Sequence, residues 1–153
     1  NDVIKKPQRT EWWAKLNVAS LPLSTPVCVS PSTTCKEAIQ LMHERSFDMV
    51  PVTSDTNGNV LGVLTEGNLA AKMTSGKINA NDTVEKAMYK QFRKVSPESP
   101  VGDLAEIFNK DYYALITTEQ EKFVDGAMAT MSIVTGIITR IDLLAFISAE
   151  EGK

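Results

Sequence analysis

The 153-residue chain carries one unit of sequence twice, and a duplication constrains architecture before any single motif does. Val29-Ser30-Pro31 recurs as Val95-Ser96-Pro97, and each copy runs through a polar turn into a stretch with helical apolar spacing. Ala38, Leu41 and Met42 carry that spacing in the first copy, and Leu104, Ile107 and Phe108 in the second. A strand-like run follows: Phe47-Asp48-Met49-Val50-Pro51-Val52, then Tyr112-Tyr113-Ala114-Leu115-Ile116, one residue shorter. Each copy then reaches Gly62-Val63-Leu64-Thr65-Glu66-Gly67-Asn68-Leu69 or its counterpart Gly136-Ile137-Ile138-Thr139-Arg140-Ile141-Asp142-Leu143. The Asn57-Gly58 pair before the first of these favours a tight hairpin, so the flanking strands are predicted to be antiparallel neighbours.

Strand, helix, strand, strand, helix is the order this predicts for each copy. The fold class is therefore α+β, two βαββα repeats related by a pseudo-twofold axis. Residues 1–22, opened by Asn1 and the polar stretch Lys5 to Glu11, read as a linker cut within a longer polypeptide. Residues 23–80 and 81–150 read as the two repeats. Residues 118–132 are polar and unpatterned and are predicted to form a poorly ordered loop. Asn81-Asp82-Thr83 predicts the N-cap of a helix burying Val84, Ala87 and Met88 and closing the first copy against the second.

Composition bears mainly on partners. A net charge of -3 provides no long-range attraction to nucleic acid or anionic lipid, and no apolar run approaches the roughly 20 residues of a bilayer span. With no secretory signal pattern either, a cytoplasmic location is expected. Cys28 and Cys35 read as reduced structural thiols rather than a disulfide framework. His43 is the only histidine, on an exposed helical position without a cluster at metal spacing, so no metal site is expected. Ser75-Gly76-Lys77 lacks the upstream glycine of a phosphate loop, and no nucleophile-and-base constellation marks a catalytic site.

The twice-occurring Gly-apolar-apolar-Thr-x-x-Asp/Asn-Leu segment admits two readings. Thr139 and Asp142, like Thr34 and Glu37, fit a helix capping box. The two later motifs also end a β-rich run, so a hydroxyl and a carboxylate or amide sit at a helix N-terminus. There an Asp can accept both hydrogen bonds of a ribose diol.

At this point the chain resembles a known family, the paired regulatory repeats called cystathionine-β-synthase (CBS) domains or Bateman modules. The resemblance covers nearly the whole chain and looks closest to the regulatory region of the animal cystathionine β-synthases. It is carried by Trp12-Trp13 with Leu16 and Val18, Phe47-Asp48 with Pro51, Tyr89-Lys90-Gln91-Phe92, and Thr139 with Ile141-Asp142-Leu143-Leu144. It implies an allosteric module that binds S-adenosylmethionine between the repeats and controls a pyridoxal-phosphate core elsewhere in the polypeptide. Pyridoxal phosphate and haem are expected only in that core, and a flat homodimer is expected by analogy. Carried over, the main cleft combines Val27, Phe47, Asp48, Met49 and Val50 with Thr139, Ile141 and Asp142. The second cleft, expected weak or empty, would use Thr65, Asn68, Tyr113 and Ala114. Trp12-Trp13 is expected to anchor the linker.

Asp48 is the discriminating residue, because a carboxylate within an apolar strand is costly to bury unless it meets a cation. A sulfonium or ammonium would serve, as would an Arg or Lys of this chain. Two departures from the family pattern stand out: Met49 replaces a Gln of vertebrate members, and Arg140 replaces a small residue. Arg140 supplies a fork suited to phosphate, which raises an adenine nucleotide (AMP or ATP) as alternative ligand. A structural or oligomerisation module without ligand response is the remaining alternative.

Overall fold

The computed structural model describes residues 11–152. Helix α1 (Cys35–Arg45) starts where the Thr34 hydroxyl accepts the Glu37 N–H at 3.2 Å. It buries Cys35, Ala38 and Met42 and stops at Ser46, whose left-handed φ of 55° lets its N–H cap the last carbonyls. Strands β1 (Met49–Thr53) and β2 (Val60–Thr65) form the antiparallel hairpin expected around Asn57-Gly58, and α2 (Glu66–Thr74) follows without a break. The second repeat comprises β3 (Lys94–Val95), α3 (Val101–Ile107), β4 (Tyr113–Val124), β5 (Ala127–Thr139) and α4 (Arg140–Glu151). Its sheet runs β3-β4-β5, parallel and then antiparallel. The first copy's leading strand shrinks to Val29, which bridges parallel to Val52.

The duplication reaches further upstream than the motifs do. Val18 and Val84 each open a 3-10 turn, Val18–Ser20 and Val84–Lys86, and stand 66 residues apart (84 − 18), as Val29 does from Val95 (95 − 29). The two turns are exchanged between repeats. Val18 and Leu21 lie in the second repeat's core with Val95, Val101 and Leu104, whereas Val84, Ala87 and Met88 lie in the first with Cys35, Ala38 and Val50. Matching bridges, Asn17 to Pro100 and Thr34 to Thr83, hold them there.

Residues 11–22, read as part of a linker, contribute Val18 and Leu21 to the second repeat's core, with Trp13 and Leu16 packed against it; residues 1–10 lie outside the described residues. The segment after Thr83 buries the expected face but is a 3-10 turn in the first repeat, not a helix between repeats. Tyr89 is the reason, since it is drawn out extended to pair with Val63 in both directions (3.0 and 3.1 Å), leaving no length for a helix.

The repeats meet through a third cluster, in which Met49, Val60 and Val63 pack against Tyr113 and Leu115. The motif glycines permit other close approaches, of Met88 and Tyr89 to β2 and of Leu23 to β5. A Cβ on Gly62 would stand 2.8 Å from the Met88 sulfur and 2.9 Å from the Tyr89 carbonyl; on Gly136 it would stand 3.3 Å from Leu23.

Residues 118–132 also depart from expectation. They continue β4 and β5 as a twelve-pair ladder closed by Asp125 (φ 50°) and Gly126 (φ 81°). An Asp-Gly pair is a strong two-residue hairpin signal, and it outweighs the polarity of the flanking residues. At the hairpin base Lys94 Nζ donates to Ser132 Oγ (2.8 Å) and Ser132 Oγ to Glu119 (2.8 Å). The Ser132 N–H donates across to Asn59 of the first repeat (2.9 Å). The Ser132 bond, then Lys94, holds the Glu119 carboxyl below its ordinary range. Both cysteines are free, and burial pushes both thiols up.

Candidate functional site

A cavity of about 130 Å³ lies between the repeats, lined by residues 24–27 and 46–49 and by Ile137, Thr139 and Asp142. The sequence-predicted residues Val27, Phe47, Asp48, Met49, Thr139 and Asp142 are thus brought together. Val50 and Ile141 are not. Strand alternation turns Val50, fully buried, into the first repeat's core, and Ile141 projects into solvent from the first turn of α4, 68% exposed. Ser24, Thr25, Pro26, Ser46 and Ile137 were missed. Ser24 reaches the site by bridging to Ile137, a long-range pairing that no local pattern announces.

At the start of α4 the capping box is complete. The Thr139 hydroxyl accepts the Asp142 N–H at 3.3 Å, and Asp142 Oδ2 accepts the Thr139 N–H at 2.9 Å. The other carboxylate oxygen has no hydrogen-bond partner among the described residues, and Asp142 is an exposed residue that lines the cavity. The capping and ligand-accepting roles are therefore compatible, one oxygen for each.

Asp48 departs from its expected setting. It precedes β1, is exposed, and its carboxylate pairs with no Arg or Lys among the described residues. The desolvation argument for a cation therefore lapses, and what remains is an unpaired negative charge on the cavity wall. Arg140 does not answer it. Its guanidinium donates to the Asp111 carbonyl at 3.0 Å and does not line the cavity.

Beyond Ser46, Phe47 and Asp48, which both spaces share, a larger groove of about 570 Å³ runs between α1 and α2. Ile39, Met42, Leu69, Ala70 and Met73 make it apolar, and His43 and Glu66 stand at its edge.

The residues of the expected second cleft are set differently. Tyr113 takes the place that Met49 holds in the first repeat, each opening its strand opposite a motif threonine (Met49 to Thr65, Tyr113 to Thr139). Tyr113 is buried, and its hydroxyl is hydrogen-bonded to that of Tyr89. Burial, then the Tyr89 bond, pushes the Tyr113 phenol far up. Tyr112 is pushed up to about 12, by burial first and then by Asp48, Tyr89 and Glu66. Thr65 is buried as a cap for Asn68 (3.1 Å), the Asn68 amide donates to the Ala87 carbonyl (2.9 Å), and Ala114 lies in the second core.

The CBS-domain family matches residues 18–75 and 84–149, both starting at the valines of the exchanged turns. Cystathionine beta-synthase of Mus musculus is 34% identical over 163 aligned positions, covering 97% of this chain and 28% of that protein. The chain thus spans under a third of that relative's length. The solved CBS domain pair of protein MJ0100, in complex with 5′-methylthioadenosine and S-adenosyl-L-methionine, superposes with a TM-score of 0.69 at 20% identity. That match covers 88% of this chain and 98% of the other. CBSX2 in complex with AMP superposes at 0.67, with 20% identity and the same coverage. With both repeats matched and the pair architecture shared, the chain belongs to the CBS-domain family.

Proposed function

We propose that the chain is the regulatory CBS pair of a cystathionine β-synthase and holds S-adenosylmethionine between its repeats. One observation carries the reading: a single cavity lined from both repeats, with Thr139 and Asp142 opening a helix at one wall and the unpaired Asp48 at the other. Asp142 would accept the ribose diol, Val27 and Phe47 would flank the adenine, and Asp48 would face the sulfonium or ammonium. The preference over an adenine nucleotide rests on charge, because Asp48 lines the cavity and Arg140 does not.

The similarity to cystathionine beta-synthase supports a parent enzyme that joins serine and homocysteine, its pyridoxal-phosphate and haem-bearing core lying in the rest of the polypeptide. Ligand sites typically measure about 300 to 1,000 Å³, so this cavity has to widen to admit an adenosyl ligand. A ligand that binds the widened arrangement better shifts the population toward it, which is the differential affinity that allosteric control requires. Association as a homodimer through the apolar helical faces, where Ile39, Ile141 and Leu144 are exposed, fits the same reading.

Thermal melting and titration calorimetry with S-adenosylmethionine test it. Ligand at a hundredfold its dissociation constant is expected to raise the melting temperature by about 5 to 10 °C. An unchanged melt at millimolar ligand with no heat of binding would favour the scaffold alternative.

A further inference from the structure

We propose that Glu66 sets the charge selectivity of the inter-repeat site, acting with Asp48 to admit nucleosides with a cationic 5′ substituent and to reject those with a 5′ phosphate. The proposal rests on the adenosyl reading of the cleft and adds a residue outside the cleft's own lining. The Glu66 N–H donates to the Asp48 carbonyl at 2.9 Å, so the two acidic residues are anchored side by side where α1 runs into β1 and where α2 begins. Both line the groove that joins the cleft along Ser46, Phe47 and Asp48, so a 5′ substituent leaving the cleft passes Asp48 toward Glu66. Neither carboxylate has an ion-pair partner among the described residues, and His43 is the one basic group on that wall. Their fields converge at one point, for both oppose ionisation of Tyr112 after burial has done so. Arg140, the residue matching Glu66 in the other repeat, is turned to the Asp111 carbonyl and leaves the acidic wall uncompensated.

Both carboxylates are solvent-exposed, so each acts through screened charge and the expected effect is moderate. It is best read as a ratio of two affinities in one protein. Calorimetry of the 153-residue chain at low salt, with S-adenosylmethionine and AMP in parallel, compares the parent with Glu66→Gln, Glu66→Asp and Asp142→Ala. Glu66→Gln is expected to weaken S-adenosylmethionine by about three- to tenfold and to strengthen AMP by a similar factor. Glu66→Asp is expected to keep the parent's ratio. A structural disturbance of α2 would move both ligands in the same direction, so an unchanged ratio, or parallel losses, overturns the assignment while the adenosyl site stands. If Asp142→Ala binds as the parent does, or the parent binds neither ligand, the adenosyl site itself falls and this assignment falls with it.

Discussion

Asp142 divides its two carboxylate oxygens between a structural bond and a free acceptor, which makes its two contributions separable by experiment. Asp142→Ala removes half of a capping box, worth about 1 kcal/mol of stability, and a charged acceptor of two ribose bonds, worth about 2 to 4 kcal/mol of binding. The expected outcome is a thirty- to thousandfold loss of S-adenosylmethionine affinity, with only a small drop in melting temperature. Asn68→Ala is expected to leave ligand binding nearly unchanged, because its amide is already spent on the Ala87 carbonyl and Tyr113 of the opposite repeat is buried. Calorimetric titration of both variants, each shown to be folded by melting, decides the matter. Equal losses would mean two working clefts.

At the scale of elements, the glycine within β2 and the one in α2 stand in opposite situations. Gly62→Ala would push a methyl against the Met88 sulfur and the Tyr89 carbonyl, the carbonyl being a pairing partner of Val63 that cannot move freely. A loss of about 1 to 3 kcal/mol in denaturant unfolding is expected. Gly67→Ala meets nothing within 4 Å and lies in the first turn of α2, so it is expected to stabilise by a few tenths to about 1 kcal/mol. Reversal of that order would mean that Tyr89 does not cross β2 as described. α4 spans about 18 Å between two sets of contacts. Its N-cap Thr139 and Asp142 line the cleft, while near its end Trp12 donates to Glu151 at 2.9 Å and stacks obliquely on Phe146 at 6.1 Å. The two ends of α4 are thus tied to different parts of the molecule, the inter-repeat cavity at one and Trp12 at the other.

For the molecule as a whole, the exchange of the two 3-10 turns makes each repeat depend on residues that precede or follow the other, so the pair should unfold as one unit. The tyrosines between the repeats give a handle on that unit. In the unfolded chain a tyrosine ionises near pH 10, whereas Tyr112 is pushed up to about 12 and Tyr113 is pushed further. The folded form therefore keeps protons that the unfolded form has lost. Their contribution to stability is fully present below pH of about 10 and is lost as pH rises from there through the folded values. Melting temperature is expected to fall across this range, and Tyr113→Phe should flatten the slope. A slope unaffected by that change would show that Tyr113 does not bind its proton through the native state.

Most of the fold was legible because duplicated motifs repeat a local code: Thr34, Thr65 and Thr139 all cap helices, and Asn57-Gly58 turns a hairpin. The Asp125-Gly126 turn was legible too, but the polarity of the strands on either side masked it. The cleft motif could be read as well, since Thr139 and Asp142 are three residues apart and lie on one helical turn. What the sequence could not indicate is everything that depends on residues meeting across long separations. The exchanged turns, the bridge from Ser24 to Ile137 and the second tyrosine at the Tyr89 hydroxyl each join segments without a local signature. The environment of Asp48 belongs to the same class: one residue of offset at the start of β1 placed it in solvent instead of in the strand. Propensity, capping and turn chemistry act over a few residues and so are written locally. Burial and charge pairing are properties of a place in space, and only the tertiary structure decides which residues share it.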